Sequence, residues 1–195
     1  MVQVYAINLK SRVDRLQHIT QEVVKLKTDK IEIIEAIVDN NPESGCFKSH
    51  QKAIKLAQVN SLERVLILED DAVFVDNAQF ILEQSLEQLL LLQWDMLFLG
   101  ANLQAPAYRV SSNLSKLTKS WCAHAYIVNS NFYSTILELS DTYPIDVHYA
   151  NLMLSSNIYV CNPLIAYQLP SYSDLQDGFR DYNDELKFNY LKYTQ

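Results

Sequence analysis

Residues 64–71 read RVLILEDD, an unbroken apolar run that stops abruptly at three acids. Continuous rather than alternating hydrophobicity is typical of a strand buried on both faces, as in the centre of a parallel sheet. In open sheets of this kind, ligands bind at the carboxyl ends of the strands. The segment therefore predicts a central strand that brings Glu69, Asp70 and Asp71 to the ligand-binding edge of an α/β sheet.

Strands alternate with helices on both sides of this segment. Before it, the pattern predicts strands at 2–8 and 31–38, a helix over 11–27 and a helix opening near Ser44; Ser11 and Asp14 form a capping signal for the first helix. After it, the predicted elements are a helix over 77–93, a strand over 95–100, an irregular segment over 101–118, a strand over 121–128, helices over 131–139 and 146–156, and strands over 158–160 and 164–169. This alternation favours an open, mostly parallel sheet flanked by helices. We expect one domain over 1–170 and a C-terminal tail, 171–195, that packs on the domain or extends from it.

Composition limits the classes of protein that need consideration. A length of 195 residues with 49% hydrophobic residues fits one globular domain. A formal net charge of −7 argues against nucleic-acid binding, which normally uses a basic face. Cys46, Cys122 and Cys161 are an odd number without a CxxC pair, which excludes a zinc cluster, disfavours a disulfide scaffold and favours a reducing compartment. The start, MVQVYAINLK, lacks the features of a signal peptide, and no apolar run approaches the ~20 residues of a membrane span. We therefore expect a cytoplasmic protein.

The acids after residue 68 predict a site for a divalent metal. Alternation along an extended segment directs Glu69 and Asp71 to one side and Asp70 to the other. Two converging carboxylates stay ionised only with a compensating cation, and oxygen ligands suit Mg²⁺ or Mn²⁺. Such an ion would neutralise the charge on a departing diphosphate. The alternative is an acidic turn that faces water.

A response-regulator receiver domain also places an acidic pair after an apolar strand. That class needs a phosphorylatable aspartate at the end of a later strand. The corresponding segment here, DMLFLG, ends at Gly100. The receiver interpretation fails at this position.

Five segments, in order, resemble glycosyltransferase family 25, the lipopolysaccharide-type galactosyltransferases related to procollagen galactosyltransferases. They are YAINLKSRVDRL, EIIEAIVDN, GCFKSHQKAI, VLILEDDAVF and WDMLFLG; HAYIVNSNFYSTIL, PIDVHYANLM and the spacing Pro163…Gln168…Ser173-Asp174 match more weakly. The combination of GC…SH with a properly spaced LEDD is the specific part. The resemblance implies a GT-A-type fold, an inverting mechanism, a UDP-sugar donor (often UDP-galactose), a metal at Asp71 and a glycan acceptor such as lipooligosaccharide. A fuller C-terminal portion is usual in the family, which leaves the acceptor side open.

Candidate roles in donor binding follow from the resemblance together with the predicted sheet. We expect Asp71 to contact Mn²⁺ or Mg²⁺ directly, Glu69 to contact the metal or the donor ribose, and Asp70 to hydrogen-bond locally and shape the turn. Asn8, Arg12 and Arg15 follow the first strand, where the nucleotide would enter, and arginine can bind phosphate through two hydrogen bonds. An exposed helix face is the alternative for both arginines.

The histidines are assigned by their positions in the predicted elements. His148, close to a helix start, is expected to complete the metal shell, with a surface position as the alternative. His50 shares a helix face with Cys46 and is expected to pack inside. His124 lies in a strand pattern and is expected to be structural.

An inverting transferase also needs a base that takes the acceptor hydroxyl proton. Asp146, in Pro-Ile-Asp before a helix, is the candidate, and an N-cap role is a compatible alternative. Asp95 and Asp174 are the fallback candidates. The aromatic residues Tyr108, Trp121 and Tyr172 are candidates for stacking on sugar faces, or else for the core.

Two other functions stay open at this point. A degenerate family member would keep the fold and serve as a binding or scaffold module. A nucleotidyltransferase is the third option, although three glycines leave little for a glycine-rich phosphate loop. The terminal KFNYLKY is basic and aromatic, which is compatible with peripheral membrane contact or with a packed terminal helix.

Overall fold

The computed structural model describes residues 2–28, 30–173 and 178–194, except for the side chains of 171–173. The strands are β1 (Gln3–Asn8), β2 (Ile31–Glu35), β3 (Arg64–Glu69), β4 (Ala72–Phe74), β5 (Met96–Phe98), β6 (Asn102–Leu103), β7 (Tyr108–Arg109), β8 (Leu114–Lys116), β9 (Ser120–Trp121), β10 (Ala125–Asn129), β11 (Ile158–Cys161), β12 (Ala166–Gln168), β13 (Ser171–Ser173) and β14 (Gly178–Arg180). The α-helices are α1 (Val13–Val23), α2 (Pro42–Val59), α3 (Ala78–Leu89), α4 (Tyr133–Leu137), α5 (Ile145–Leu152) and α6 (Asn183–Tyr193).

A central sheet organises the described part of the chain. It has eight strands in the order β2-β1-β3-β10-β5-β11-β8-β7. Six of them run in one direction, and β10 and β8 run in the other. This confirms the predicted open, mostly parallel α/β architecture. Because β3 lies between β1 and β10, its carboxyl end is at the middle of one sheet edge.

The sheet is covered by helices on both faces, which explains the continuous hydrophobicity of β3. On one face Val65 and Ile67 belong to a buried cluster with Phe47 and Ile54 of α2. On the other face Leu66 and Leu68 join the buried side chains of α1 and α3, including Ile19, Val23, Ile81 and Leu82. Burial of each such side chain contributes about 1.5–3 kcal/mol. The part of a strand that is packed on both sides needs apolar residues at every position, as the four residues 65–68 (VLIL) provide.

The starts of the first two helices differ from the sequence prediction. Helix α1 begins at Val13 with Arg12 as its N-cap residue and no side-chain capping bond, so the Ser11 cap is wrong. Helix α2 begins at Pro42, because the Asn41 side chain accepts a hydrogen bond of 3.0 Å from the Glu43 amide. Proline at the first helical turn has no amide hydrogen to leave unsatisfied.

Residues 101–129 differ from the prediction most. The segment predicted to be irregular over 101–118 contains β6, β7 and β8, and β8 pairs with β11 in the central sheet. The single strand predicted over 121–128 is interrupted, since β9 ends at Trp121 and β10 starts at Ala125. Between them Cys122 has φ 72°, a left-handed conformation that redirects the chain. Strands of two or three residues are too short for a hydrophobic period to reveal.

The C-terminal helix packs against the segment after β5. Asn102 donates a hydrogen bond of 3.1 Å to the Glu185 carboxylate, and Asn189 donates one of 2.8 Å to the Asn102 side-chain oxygen. The domain boundary at residue 170 stays a prediction. Among the described residues, no helix is both long and apolar enough to cross a membrane.

Candidate active site

The turn after β3 is held by residues from the end of β1 and from α1. One carboxylate oxygen of Asp70 accepts a hydrogen bond of 2.8 Å from the Asn8 side-chain amide. The other accepts one of 3.0 Å from the Arg15 guanidinium. Burial raises the pKa of Asp70, and its two partners oppose that rise. Asp70 therefore fixes the acidic turn to β1 and α1 through residues distant in sequence, and not through the local hydrogen bonds expected of it.

Asp71 presents an incompletely bonded carboxylate at the same edge. Its Oδ1 atom is buried and has no hydrogen-bond partner among the described residues. Its Oδ2 atom lies 3.6 Å from the Arg15 guanidinium. Burial, and then the negative charge of Glu69, raises the pKa of Asp71 to about 7. A buried carboxylate oxygen with no partner is costly, so this site is suited to a ligand that supplies positive charge.

Glu69 differs from Asp71 because a histidine stabilises its charge. The His50 Nε2 atom lies 3.3 Å from the Glu69 Oε1 atom. Burial by itself disfavours the Glu69 carboxylate, but the hydrogen bond and electrostatic attraction to His50 outweigh it and lower the pKa of Glu69. Glu69 and Asp71 together offer oxygen ligands with surplus negative charge. These two residues fit the Mn²⁺ or Mg²⁺ ion that the family resemblance implies.

The GC…SH motif of α2 positions that histidine. A Cβ atom on Gly45 would lie 2.7 Å from the Ile37 carbonyl oxygen, so the helix approaches the segment after β2 closely. The Ser49 hydroxyl accepts a hydrogen bond of 2.8 Å from the Ile37 amide and donates one of 2.6 Å to the Gly45 carbonyl. These contacts lock α2 so that His50 faces the carboxyl end of β3.

His50 continues into a chain of buried hydroxyl groups. Its Nδ1 atom lies 2.7 Å from the Tyr126 hydroxyl, which lies 2.9 Å from the Tyr149 hydroxyl. When His50 donates from Nε2 to Glu69, Nδ1 of the neutral ring must accept from Tyr126, and Tyr126 then accepts from Tyr149. His50 is buried as predicted. The two tyrosines were missed, since a tyrosine in an apolar strand or helix resembles any other core residue.

Asp146 belongs to the same group of charges. Its Oδ2 atom accepts a hydrogen bond of 3.3 Å from the Cys122 amide. The N-cap of α5 is Pro144, so the N-cap alternative for Asp146 is wrong. Burial, followed by the charges of Glu69, Asp146 and Asp71, raises the pKa of the Cys46 thiol well above its ordinary value. The same three carboxylates act on the Cys122 thiol. Asp146 and the acids after β3 therefore act electrostatically on the same two thiols, those of Cys46 and Cys122.

His148 and His124 are packed in the interior. His148 is buried between the rings of Phe47 and Tyr143, with ring centres 5.5 and 5.8 Å away, so the surface alternative is wrong. His124 is fully buried against Gly100, and burial lowers its pKa. Within the described residues, Glu69, Asp71 and His148 do not form a group whose ligand atoms all lie within 4.8 Å of one another. Metal ligation by His148 stays a prediction.

The arginines after β1 occupy two different positions. Arg15 faces the acids and has a side chain only 12% exposed, so the exposed-face alternative is wrong for it. Arg12 precedes the helix as its N-cap residue and has a side chain 18% exposed, so this alternative is wrong for it too; it forms a two-point contact with Asp14 of 3.1 and 2.9 Å. Both stay predicted phosphate ligands.

Several remaining candidates lie away from the acids or outside the described residues. Asp95 precedes β5 at the opposite end of the sheet and accepts hydrogen bonds from Asn157 and Asn131, so the fallback assignment as base is wrong. Asp174 and the side chain of Tyr172 lie outside the described residues. Tyr108 and Trp121 are exposed. Stacking of these two aromatics on sugars stays a prediction.

Comparison with known proteins identifies the family. The model of glycosyltransferase family 25, described as an LPS biosynthesis protein, matches residues 40–153, which is more than half of the chain. This chain belongs to glycosyltransferase family 25. The procollagen lysyl hydroxylase and glycosyltransferase of Acanthamoeba polyphaga mimivirus is 27% identical in an alignment 241 residues long. The alignment covers 97% of this chain and 26% of that protein. The inactive glycosyltransferase 25 family member 3 of Mus musculus is 37% identical over 71 residues, which cover 35% of this chain and 12% of that protein. The chain thus spans about a quarter or less of the length of these relatives.

Solved structures show the same fold at low identity. Protein A197 from STIV has a TM-score of 0.55 and 14% identity, covering 87% of this chain and 86% of that one. A glycosyltransferase involved in glycosylation of the major capsid of PBCV-1 has a TM-score of 0.53 and 9% identity, covering 96% and 98%. UDP-glucose pyrophosphorylase complexed with UDP-glucose has a TM-score of 0.51 and 9% identity, covering 99% and 97%. These similarities confirm the predicted GT-A-like fold.

Proposed function

We propose that this chain is a metal-dependent glycosyltransferase domain that transfers a hexose from a UDP-sugar to a glycan acceptor. The observation that carries the proposal is the half-buried pair Glu69 and Asp71, with a buried and unpartnered Asp71 oxygen, at the carboxyl edge of the central sheet. Ligands bind at this edge in open α/β sheets. Membership of family 25 supports the class of reaction.

In this proposal the acids hold a divalent ion and the residues after β1 bind the nucleotide. Asp71 and Glu69 are the metal ligands, and His148 is proposed as a third. The ion would supply charge neutralisation for the departing diphosphate. Asn8 and Arg15 are fixed to the acidic turn through Asp70. We place the donor diphosphate beside Arg15 and Arg12, because guanidinium groups match phosphate geometry.

Asp146 is the proposed base of an inverting transfer. Its carboxylate accepts the proton of the attacking acceptor hydroxyl while that oxygen bonds to the anomeric carbon of the sugar. The bond between the anomeric carbon and the diphosphate oxygen breaks, and UDP leaves with the electron pair. The hydrogen bond from the Cys122 amide supports this role by orienting the carboxylate.

Finer features of the proposal rest on the family. We propose galactose as the sugar and a lipooligosaccharide-type glycan as the acceptor, handled on the cytoplasmic side. Exposed Phe188 and Leu191 on α6, with Lys187 and Lys192 beside them, support peripheral contact with a membrane that carries such an acceptor. Co-sedimentation with anionic vesicles tests that contact: loss of binding in Phe188→Ser supports it, and no binding by the unmodified chain contradicts it.

The deciding experiment is thermal unfolding with a panel of nucleotide sugars, with Mn²⁺ or with EDTA. A ligand that binds only the native state raises the melting temperature. At a ligand concentration of 100 times its Kd, the free energy of unfolding rises by about 2.7 kcal/mol. We expect a Mn²⁺-dependent shift with UDP-galactose that is lost in Asp71→Asn and kept in Asp76→Asn, which changes an exposed acid a few residues later. Transfer to a galactose-free acceptor should follow the same pattern. The absence of a metal-dependent shift with every UDP-sugar would refute the proposal.

A binding module without catalysis is the second candidate. It is favoured by the names of the mouse and rat relatives, which are called inactive and probable inactive family members. The outcome that supports this candidate is a Mn²⁺-dependent shift with a UDP-sugar but neither transfer nor donor hydrolysis.

A further inference from the structure

The active site contains a second ligand set whose chemistry differs from that of the acids. The Cys46 thiol, the His50 imidazole and a Glu69 carboxylate oxygen offer ligand atoms that all lie within 4.8 Å of one another. We propose that these three side chains form a thiophilic metal subsite for Zn²⁺, and that zinc bound there inhibits sugar transfer by withdrawing Glu69. The inhibitory half rests on the proposed function, whereas zinc binding does not.

The spacing of the three groups suits one small tetrahedral ion. Cys46 and His50 are four residues apart on α2, so their side chains lie on the same face of the helix. The His50 Nε2 atom and the Glu69 Oε1 atom are 3.3 Å apart. Two ligands of a tetrahedral zinc with bonds of ~2.0–2.1 Å are separated by about the same distance. Zinc therefore needs little movement of these two side chains.

The surroundings of His50 are those of a metal ligand. A histidine that binds a metal through one ring nitrogen is normally hydrogen-bonded through the other, which fixes the ring orientation and the tautomer. Here the Tyr126 hydroxyl lies 2.7 Å from Nδ1, and the Tyr149 hydroxyl supports Tyr126 at 2.9 Å. With zinc on Nε2, the Nδ1 hydrogen is donated to Tyr126, which then donates to Tyr149. The buried hydroxyl chain thus serves the metal-bound ring as well as the metal-free one.

Ligand type separates this subsite from the acidic site. A thiolate with an imidazole and a carboxylate suits Zn²⁺, whereas carboxylate oxygens alone suit Mg²⁺ or Mn²⁺. On binding, the Cys46 S–H bond breaks, its proton passes to water and the sulfur bonds to zinc. Three protein ligands leave the fourth position for water. Glu69 is common to both sets, so zinc on Cys46 and His50 competes with Mn²⁺ on Glu69 and Asp71.

Cobalt substitution in the EDTA-treated full chain tests the subsite directly. Bound Co²⁺ should give a near-ultraviolet thiolate-to-cobalt charge-transfer band that saturates at one ion per chain and disappears when Zn²⁺ is added. Cys46→Ser should lose the band and bind Zn²⁺ at least ~10-fold more weakly by calorimetry. Cys122→Ser is the matched control, since this thiol is influenced by the same carboxylates but lies outside the ligand group. It should keep the band.

A band that is absent from the unmodified chain, or that persists in Cys46→Ser, would overturn the proposal. If Cys46→Ser fails to fold, alkylation of the unmodified chain replaces it: zinc should slow modification of Cys46 but not of Cys122, and equal rates refute the subsite. Inhibition is tested by adding Zn²⁺ to the Mn²⁺-dependent transfer assay. Loss of inhibition in Cys46→Ser supports competition through Glu69, and equal inhibition of both proteins refutes it. A cobalt band without any transfer would leave the zinc subsite standing and the proposed function refuted.

Discussion

Replacement of Asp71 by asparagine should stabilise the metal-free protein. Burial and the Glu69 charge raise the pKa of Asp71 from its ordinary value of 3.8 to about 7. Between these two pH values the folded protein holds a proton that the unfolded chain has released, so the free energy of unfolding falls as pH rises through the window. The loss of stability is complete above about pH 7. It amounts to about 4 kcal/mol, because a difference of one between the folded and unfolded pKa corresponds to about 1.4 kcal/mol. An asparagine carries no charge and avoids this cost.

Urea unfolding in EDTA at pH 4 and at pH 8 measures the effect. The two proteins should have similar stability at pH 4, and Asp71→Asn should be more stable at pH 8 by up to about 4 kcal/mol. At about 2–4 °C per kcal/mol, this is roughly 10 °C in melting temperature. Asp76→Asn is the control, since an exposed carboxyl should not alter the pH dependence. Equal loss of stability between pH 4 and pH 8 in the unmodified chain and in Asp71→Asn would refute the electrostatic reasoning.

Other predictions concern the hydroxyl chain, the packing after β5 and the base. Tyr126→Phe removes the hydroxyl group that orients the His50 ring. We expect the Mn²⁺-dependent affinity for the donor, measured by calorimetry, to fall about tenfold. An unchanged affinity would contradict this role of Tyr126. Gly100→Ala should lower the free energy of unfolding by about 2 kcal/mol or more, because a Cβ atom there would lie 2.1 Å from the Ala166 carbonyl oxygen. Gly178→Ala is the control and should change the free energy of unfolding far less, since a Cβ atom there would lie 3.2 Å from its nearest atom. Similar urea midpoints for the two variants would contradict this prediction. Asp146→Asn should slow transfer at least ~100-fold with the donor-induced melting shift preserved, and near-normal turnover would eliminate Asp146 as the base.

The sequence predicted the structure correctly where the local hydrophobic pattern agrees with the burial of the residues. The apolar run of β3 is buried on both faces, so its composition alone identified a central strand and placed the acids at its carboxyl end. Glycine at position 100, which excluded a receiver domain, is required by the close approach of the Ala166 carbonyl. The burial of His50 followed from its helical spacing with Cys46.

The remaining parts of the site depend on contacts between distant segments, which a local pattern does not encode. Tyr126 and Tyr149 meet His50 only after β10 and α5 pack against α2. The replacement of the predicted Ser11 cap by Arg12 instead has a local cause, since the Asn8 side chain donates a 3.1 Å hydrogen bond to the Arg12 carbonyl and holds the turn before α1. The direction of β10 also cannot be predicted from the sequence, because parallel and antiparallel strands at the centre of a sheet have similar composition.

The reversed direction of β10 has a consequence for how this domain can diversify. Because β10 runs against β3, its first residue Ala125 pairs with Leu68, and the Glu69 amide donates a hydrogen bond of 2.8 Å to the His124 carbonyl. The chain that enters β10, including Trp121 and Cys122, therefore reaches the edge that carries Glu69, Asp70 and Asp71, whereas the chain that leaves it reaches the opposite edge. Under the proposed function, we expect insertions just before residue 121 to alter the choice of acceptor and insertions just after residue 129 to leave it unchanged.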